Sequence, residues 1–357
     1  MNGKTNVGII FGGKSGEHEV SLNSAYNVIK AIDRSKFDVT MIGISKDGAW
    51  KHFFGDPEMI GNGKWEYDTD HINENLSIFH DEIIKKTDIF FPVLHGTFGE
   101  DGTIQGLFEM IDKPYVGCGV LASSAAMDKA VAKVLFRSQG IPVAEDLLVY
   151  KSEMPDHLDE IIEAAHDQFD FPMFVKPVNM GSSVGISKAH DKTELKNALL
   201  FASKFDNKIL IEKFIDACEV EVGVLGNEQP VASCIGQIIP CHEFYDYEAK
   251  YLSGHDSKII IPAPVSKELT DKIIEYALRA YRCLGCSGLS RIDFFVNEQT
   301  QKIILNEVNT LPGFTNISMY SKLWEASGIP YTELITRLIG LGFERYHQKK
   351  ELLYQID

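Results

Sequence analysis

Arg291-Ile-Asp-Phe-Phe-Val-Asn297, Glu298-Gln-Thr-Gln301, Lys302-Ile-Ile-Leu-Asn-Glu-Val-Asn309: two runs rich in β-branched and aromatic residues flank a polar turn, the pattern of a β-hairpin. With the turn centred near Thr300, Asp293 falls opposite Glu307 and Arg291 opposite Asn309. Residues two apart share a strand face and directly opposed residues hold their Cβ atoms about 5 Å apart, so these four side chains converge. Two carboxylates in direct opposition repel unless a cation intervenes. Hard oxygen donors in small number suit Mg²⁺, which completes its shell with water and nucleotide phosphates. A solvated hairpin face on which Arg291 pairs with an acid has the same spacing.

The chain has 357 residues, too many for one ordinary core, so two or three domains are expected. With 44% hydrophobic and 24% charged residues it has the composition of a globular protein. A formal net charge of -16 disfavours nucleic acid and anionic membrane surfaces as partners. A phosphate-bearing ligand must then be met by a local basic cluster or a metal. No apolar run reaches the roughly 20 residues that span a bilayer, and Val7-Gly-Ile-Ile-Phe11 is too short for the core of a signal peptide, so a cytoplasmic location is expected. The cysteines (Cys118, Cys218, Cys234, Cys241, Cys283, Cys286) are scattered, as reduced thiols are, and Cys283-Leu-Gly-Cys286 has no companion pair to make a zinc site.

The first 120 or so residues alternate strand and helix. Residues 7–11, 39–44 and 88–94 read as strands, and 21–32 as a helix with Leu22, Ala25, Val28, Ile29 and Ile32 on one stripe. That order implies a parallel sheet with crossover helices, in which ligands sit at the carboxyl ends of strands. Two of those ends carry chemistry: Gly12-Gly-Lys-Ser-Gly-Glu17-His-Glu-Val-Ser21 and His95-Gly-Thr-Phe-Gly-Glu-Asp-Gly102. Beyond Ser123 a helix is predicted over 127–139, a strand at 173–177 ending in Lys176, a helix over 191–203 and a strand over 208–213. Mostly β structure follows to Pro262, then a helix over 266–283, the hairpin, and helix-like stripes over 320–341.

Gly8-Ile-Ile-Phe-Gly-Gly-Lys14-Ser15 matches the P-loop pattern and would make the chain a kinase dependent on Lys14 and Ser15. A P-loop needs its first glycine after the strand, whereas Gly8 lies within the apolar run. The stronger phosphate-binding candidate is Gly181-Ser-Ser-Val-Gly185, five residues after Lys176. Phe244-Tyr-Asp-Tyr-Glu-Ala-Lys250-Tyr251 is either an amphipathic surface segment or a lid whose lysine meets phosphate and whose tyrosine closes a small polar pocket.

Taken in order, Gly12–Ser21, Leu94-His-Gly-Thr-Phe-Gly-Glu-Asp-Gly-Thr-Ile-Gln-Gly106, Met127-Asp-Lys129, Val175-Lys-Pro177 with Gly181–Gly185, Tyr245–Tyr251, Arg291-Ile-Asp293 and Glu307-Val-Asn-Thr-Leu-Pro-Gly313 resemble the D-alanine–D-alanine ligase family of the ATP-grasp superfamily. The resemblance implies an N-terminal parallel-sheet α/β domain (1–122) followed by an ATP-grasp fold of two α+β subdomains (123–215 and 216–357). It implies that ATP phosphorylates the carboxylate of one D-alanine and that the amine of a second attacks the acyl phosphate, giving a dipeptide for peptidoglycan precursors. Two Mg²⁺ or Mn²⁺ ions are implied, held by Asp293, Glu307 and Asn309, as is a homodimer.

By the same resemblance Arg291 and the Gly313 N–H stabilise the acyl phosphate and tetrahedral intermediate. Lys129, Lys176 and Lys250 contact phosphates, with Ser182 and Ser183 in the loop over them. Glu212, Lys213 and Glu219 contact adenine and ribose, and Asn306 adjoins the nucleotide. Glu17 meets the ammonium of the first D-alanine in a triad with Ser182 and Tyr251, His95 lies beside that substrate, and Ser318 binds the carboxylate of the second. The family also contains relatives that join D-alanine to D-serine or D-lactate. The stretch around Trp50 and Trp65 resembles the D-serine type, while Glu248-Ala-Lys-Tyr251 favours D-alanine at both sites.

Overall fold

The computed structural model describes residues 3–74, 76–239 and 258–353. The N-terminal sheet contains β1 (Thr5–Gly12), β2 (Phe37–Ile44), β3 (Trp50–Phe53), β4 (Ile72–Asn73) and β5 (Ile89–Pro92), in the order β4-β3-β2-β1-β5. β1 runs parallel to β2 and β5, as the buried apolar runs imply. β3 and β4 extend the sheet antiparallel, an addition the strand–helix alternation did not reveal because these strands are short. Helix His18–Ala31 follows β1 and turns Leu22, Ala25, Val28 and Ile29 into the core. Trp65 is buried beside Phe11 and Phe53, so it serves packing.

A second sheet contains β6 (Asp146–Tyr150), β7 (Met173–Pro177), β8 (Ser187–Ala189) and β9 (Lys208–Lys213), antiparallel in the order β6-β9-β7-β8. One face buries Val149, Val175, Ile209 and Ile211 against helices Met154–Gln168 and Lys192–Ala202. Strand alternation leaves Asp146, Lys176 and Glu212 on the other.

The third sheet contains β10 (Cys218–Leu225), β11 (Val231–Ile239), β12 (Lys258–Ile260), β13 (Leu289–Asn297) and β14 (Lys302–Asn309), in the order β12-β11-β10-β13-β14. Val220, Val222, Ile292 and Phe294 bury one face against helix Lys267–Cys283 and helices Val120–Met127 and Lys129–Ser138. The single helix predicted over 127–139 instead begins at Lys129: Asp128 leaves the helical conformation and its carboxylate accepts the Val131 N–H, ending one helix and capping the next. The C-terminal stripes form helices Met319–Ala326 and Tyr331–Lys350. The latter buries Leu334, Ile335, Leu338 and Ile339 in the same core as Val7, Ile9 and Phe91 of the first sheet. Arg345 on that helix donates to Tyr115 O at 3.1 Å and Ser287 Oγ at 3.0 Å, tying the first and third sheets together.

Candidate active site

On the hairpin, Arg291 lies opposite Asn309 and Asp293 opposite Glu307. Nearer the turn Phe294 pairs with Leu305, so Asn306 is an extra residue in β14 and the register shifts at that point. Across the other edge of β13, Glu221 of β10 faces Asp293 and Gly223 faces Arg291. Three acids therefore form a row across neighbouring strands. Arg291 neutralises its centre: Nε and Nη2 donate to Asp293 at 2.8 and 2.7 Å, and Nε lies 3.0 Å from Glu221. Burial disfavours the guanidinium charge, but Asp293 and Glu221 outweigh it and push the Arg291 pKa up. Carboxylate oxygens of Glu219, Glu221 and Asp293 lie within 4.8 Å of one another, and this hard-oxygen set with Glu307 and Asn309 alongside fits a divalent ion such as Mg²⁺ or Mn²⁺.

Lys129, the first residue of its helix, spans the gap to this row. Its Nζ donates to Met180 O at 2.8 Å and lies 3.8 Å from Glu307. Met180 precedes the glycine–serine loop, where Ser182 and Ser183 adopt φ of 51° and 60°. Lys176 is buried on β7 and its Nζ contacts Glu212 at 2.6 Å, with Lys133 on the other carboxylate oxygen. Burial opposes the Glu212 charge, yet Lys176 and Lys133 outweigh it and hold the carboxyl down at about 2. Glu212 is thus seated between two lysines. Lys213 is more exposed and pairs with Glu145 at 3.3 Å. Lys213 lines a cavity of about 240 Å³ with Phe214 and Phe295, where the chain passes from β9 to β10.

The N-terminal domain closes the other side. Glu17 is buried, and its Oε1 lies 3.2 Å from where a Cβ on Gly181 would sit. His95 is buried at the end of β5; Nδ1 donates to Leu311 O at 3.2 Å, and Nε2 lies 2.9 Å from Ser24 Oγ. Because a carbonyl only accepts, the proton on Nδ1 is assigned by chemistry. Burial favours neutral imidazole, but Glu100 at 3.6 Å outweighs it and raises the pKa. Ser24 also accepts the Phe314 N–H at 3.4 Å, so His95 and Ser24 together fix the loop carrying Gly313. A Cβ on Gly313 would lie 3.4 Å from Ser318 Oγ, which accepts the Thr315 N–H at 3.0 Å at the start of helix Met319–Ala326.

Residues 6–118 match the family model described as D-ala D-ala ligase N-terminus, and residues 135–340 match D-ala D-ala ligase C-terminus. The chain belongs to the D-alanine–D-alanine ligase family. It is 50% identical to the D-alanine–D-alanine ligase of Ruminiclostridium cellulolyticum over 97% of each chain, and 50% identical to that of Acetivibrio thermocellus over 97% of this chain and 98% of the relative. Among solved structures, a D-Ala:D-Ser ligase from Enterococcus faecalis superposes with a TM-score of 0.85 at 37% identity, covering 95% of this chain and all of the other. The D-alanine–D-alanine ligase from Coxiella burnetii gives 0.86 at 33% identity, covering 98% and 96%.

In this member of the ligase family the predicted Arg291, Asp293, Glu307 and Asn309 meet, with Lys129 reaching them, and Glu17 approaches the Gly181 loop. Lys250, Tyr251 and the rest of the predicted lid from 244 lie outside the described residues. The P-loop reading fails on position: Gly8 is inside β1, packed on Phe90 and Thr87, and the Lys14 stem lies against Gly48. Sequence reading missed Glu221, Lys133 and Glu100. Strand alternation in Glu219-Val-Glu221 and the four-residue helical step from Lys129 to Lys133 were signals for the first two.

Proposed function

We propose that the protein joins two D-alanines into D-alanyl-D-alanine, converting ATP to ADP and phosphate, in the cytoplasm and as a homodimer. The observation that carries this reading is Lys129, which links the Gly181 loop to Glu307 of the acidic hairpin. A phosphate held beneath that loop lies beside the hairpin's acids. Divalent ions on Asp293, Glu307 and Asn309, with Glu221 beside them, would offset phosphate charge and orient the nucleotide. Lys129 and Lys176 supply further positive charge, and the segment from Glu212 through Lys213 to Glu219, with Asn306, borders the base and ribose.

In this reading the first D-alanine lies between Glu17 and the Gly181–Ser183 loop, its ammonium on Glu17 and His95 nearby. Its carboxylate oxygen attacks the γ-phosphorus, and the bond to the ADP oxygen breaks. The amine of the second D-alanine then attacks the acyl carbon. Arg291 and the Gly313 N–H stabilise the negative charge on the oxygen of the tetrahedral intermediate formed with the new C–N bond, Ser318 holds the second carboxylate, and the intermediate collapses by breaking the acyl C–O bond to phosphate, which leaves carrying the proton given up by the amine. Lys250 and Tyr251 would complete the closure, with Tyr251 joining Glu17 and Ser182 and excluding water from the acyl phosphate. Each of the three working units, 1–122, 123–215 and 216–357, carries the strands of one sheet, while helices Val120–Met127 and Lys129–Ser138 pack on the third sheet and helix Tyr331–Lys350 on the first. Met110 on helix Thr103–Met110 and Leu121 on helix Val120–Met127 are exposed apolar side chains available to a second copy.

The test is mass detection of products from ATP, Mg²⁺ and an equimolar mixture of D-alanine, D-serine and D-lactate. D-alanyl-D-alanine with stoichiometric ADP is expected. A mixed product would move the protein to the D-serine or D-lactate branch, and no ADP would remove the ligase reading.

A further inference from the structure

Lys133 has no part in the reaction described above, yet it sits at the centre of a buried charge cluster near the site. It is 3% exposed, donates to Ala144 O at 3.2 Å, contacts one oxygen of Glu212 and lies 3.4 Å from Asp146. Lys176 takes the other oxygen of Glu212, and Arg137 holds Asp146. Among the described residues, three cations in this cluster thus face two carboxylates. Burial and the neighbouring Lys176 and Arg137 charges disfavour the ammonium of Lys133, and Glu212 only partly offsets them, so its pKa is lowered. Glu307 and Glu219 act on Lys176 from farther off. The surplus positive charge therefore lies where Lys176 can be given up to an outside anion.

We propose that Lys133 is a positioning residue: it holds Glu212 so that Lys176 can leave that carboxylate for the phosphates of a nucleotide. With Lys176 on phosphate, Lys133 and Arg137 still balance Glu212 and Asp146. Without Lys133, the cluster is balanced only while Lys176 stays, and its departure strands a buried carboxylate, the situation in which breaking a buried pair is most unfavourable. The inference rests on Lys176 as a phosphate ligand.

The experiment compares full-length wild type, Lys133→Met, Lys133→Arg and Lys176→Met by titration with ATP and with adenosine, alongside initial rates. Lys133→Met should weaken ATP at least about tenfold while adenosine affinity and the KM for D-alanine stay within about threefold, and Lys133→Arg should recover most of the loss. Unchanged ATP affinity, or equal losses for ATP and adenosine, overturns the proposal, since the latter marks a collapsed base pocket. Unchanged ATP affinity in Lys176→Met overturns it too. Should Lys133→Met fail to fold, Lys133→Met is measured in a Glu212→Gln background, where the acid needing a partner is gone. Less than about a twofold further change in ATP affinity is expected there, and a further tenfold loss refutes the idea. Wild type that binds ATP but forms no ADP with D-alanine defeats the ligase reading separately, because the binding comparison does not depend on turnover.

Discussion

Asp293 faces Glu307 because Asn306 is an extra residue in β14. The strands leave the turn with Asn297 opposite Lys302 and keep that register as far as Phe294 opposite Leu305. Continued without interruption, it would set Asn306 against Asp293 and turn Glu307 to the other face of the sheet. The bulge restores Glu307 to the acidic row.

Glu307→Gln is expected to lower turnover by at least about a thousandfold, the scale of losing a principal electrostatic element of a reaction centre. The fold should persist, because removing a carboxylate opposite Asp293 relieves repulsion. Thermal denaturation within a few degrees of wild type together with ADP formation at saturating Mg²⁺ checks both halves. Near-normal ADP formation would take the hairpin out of the active site.

Lys14 and Lys176 are separated by a simple binding comparison. The Lys14 stem lies over Gly48, whereas Lys176 is buried beside Glu212 on the strand that leads into the Gly181 loop. ATP titration should give an unchanged Kd for Lys14→Ala and at least about a tenfold rise for Lys176→Ala, the scale of removing one charge-assisted hydrogen bond. Equal weakening in both would return weight to the P-loop.

Acid should weaken the protein through Glu212. Its pKa is depressed to about 2, so the stability it contributes is fully present above the ordinary carboxylate range near 4.3 and disappears as pH falls through about 2. Glu212→Gln leaves Lys133 and Lys176 without this acid and should be less stable than wild type at neutral pH by about 3–5 kcal/mol. Urea unfolding from pH 6 down to about pH 2 should show that gap constant, then narrowing below about pH 4.3. A gap that widens in acid would contradict the assignment of charge.

Gly181 tests how Glu17, beyond the end of β1, meets the glycine–serine loop. A Cβ there would lie 3.2 Å from Glu17 Oε1, tighter than an ordinary contact, so the carboxylate must give way. Gly181→Ala should raise the KM for D-alanine several-fold while changing the Kd for ATP less. The reverse pattern in steady-state rates and ATP titration would place Glu17 away from the amino-acid substrate.

Local pattern was enough for much of this molecule. Buried runs at Val7–Phe11, a helical stripe from Leu22, and two β-rich arms around Glu298–Gln301 each express a period that the chain carries within a dozen residues. The pairing of Arg291 with Asn309 and of Asp293 with Glu307 was expected from a turn centred near Thr300, but the register that leaves the turn is one residue off, and the bulge at Asn306, which the pattern did not show, supplies the difference. The break at Asp128 was not recognised from periodicity, because the apolar stripe runs past it and the cap depends on the backbone turning there. What only the tertiary structure decided is which charges meet. Lys133, Lys176 and Glu212 are distant in the chain, and they become one cluster when a helix packs beneath a sheet. Glu17 reaches the Gly181 loop, and His95 the loop of Gly313, only once three sheets are assembled. Side-chain periodicity is a property of neighbours along the chain, whereas the energy of a buried charge is set by whatever surrounds it in space.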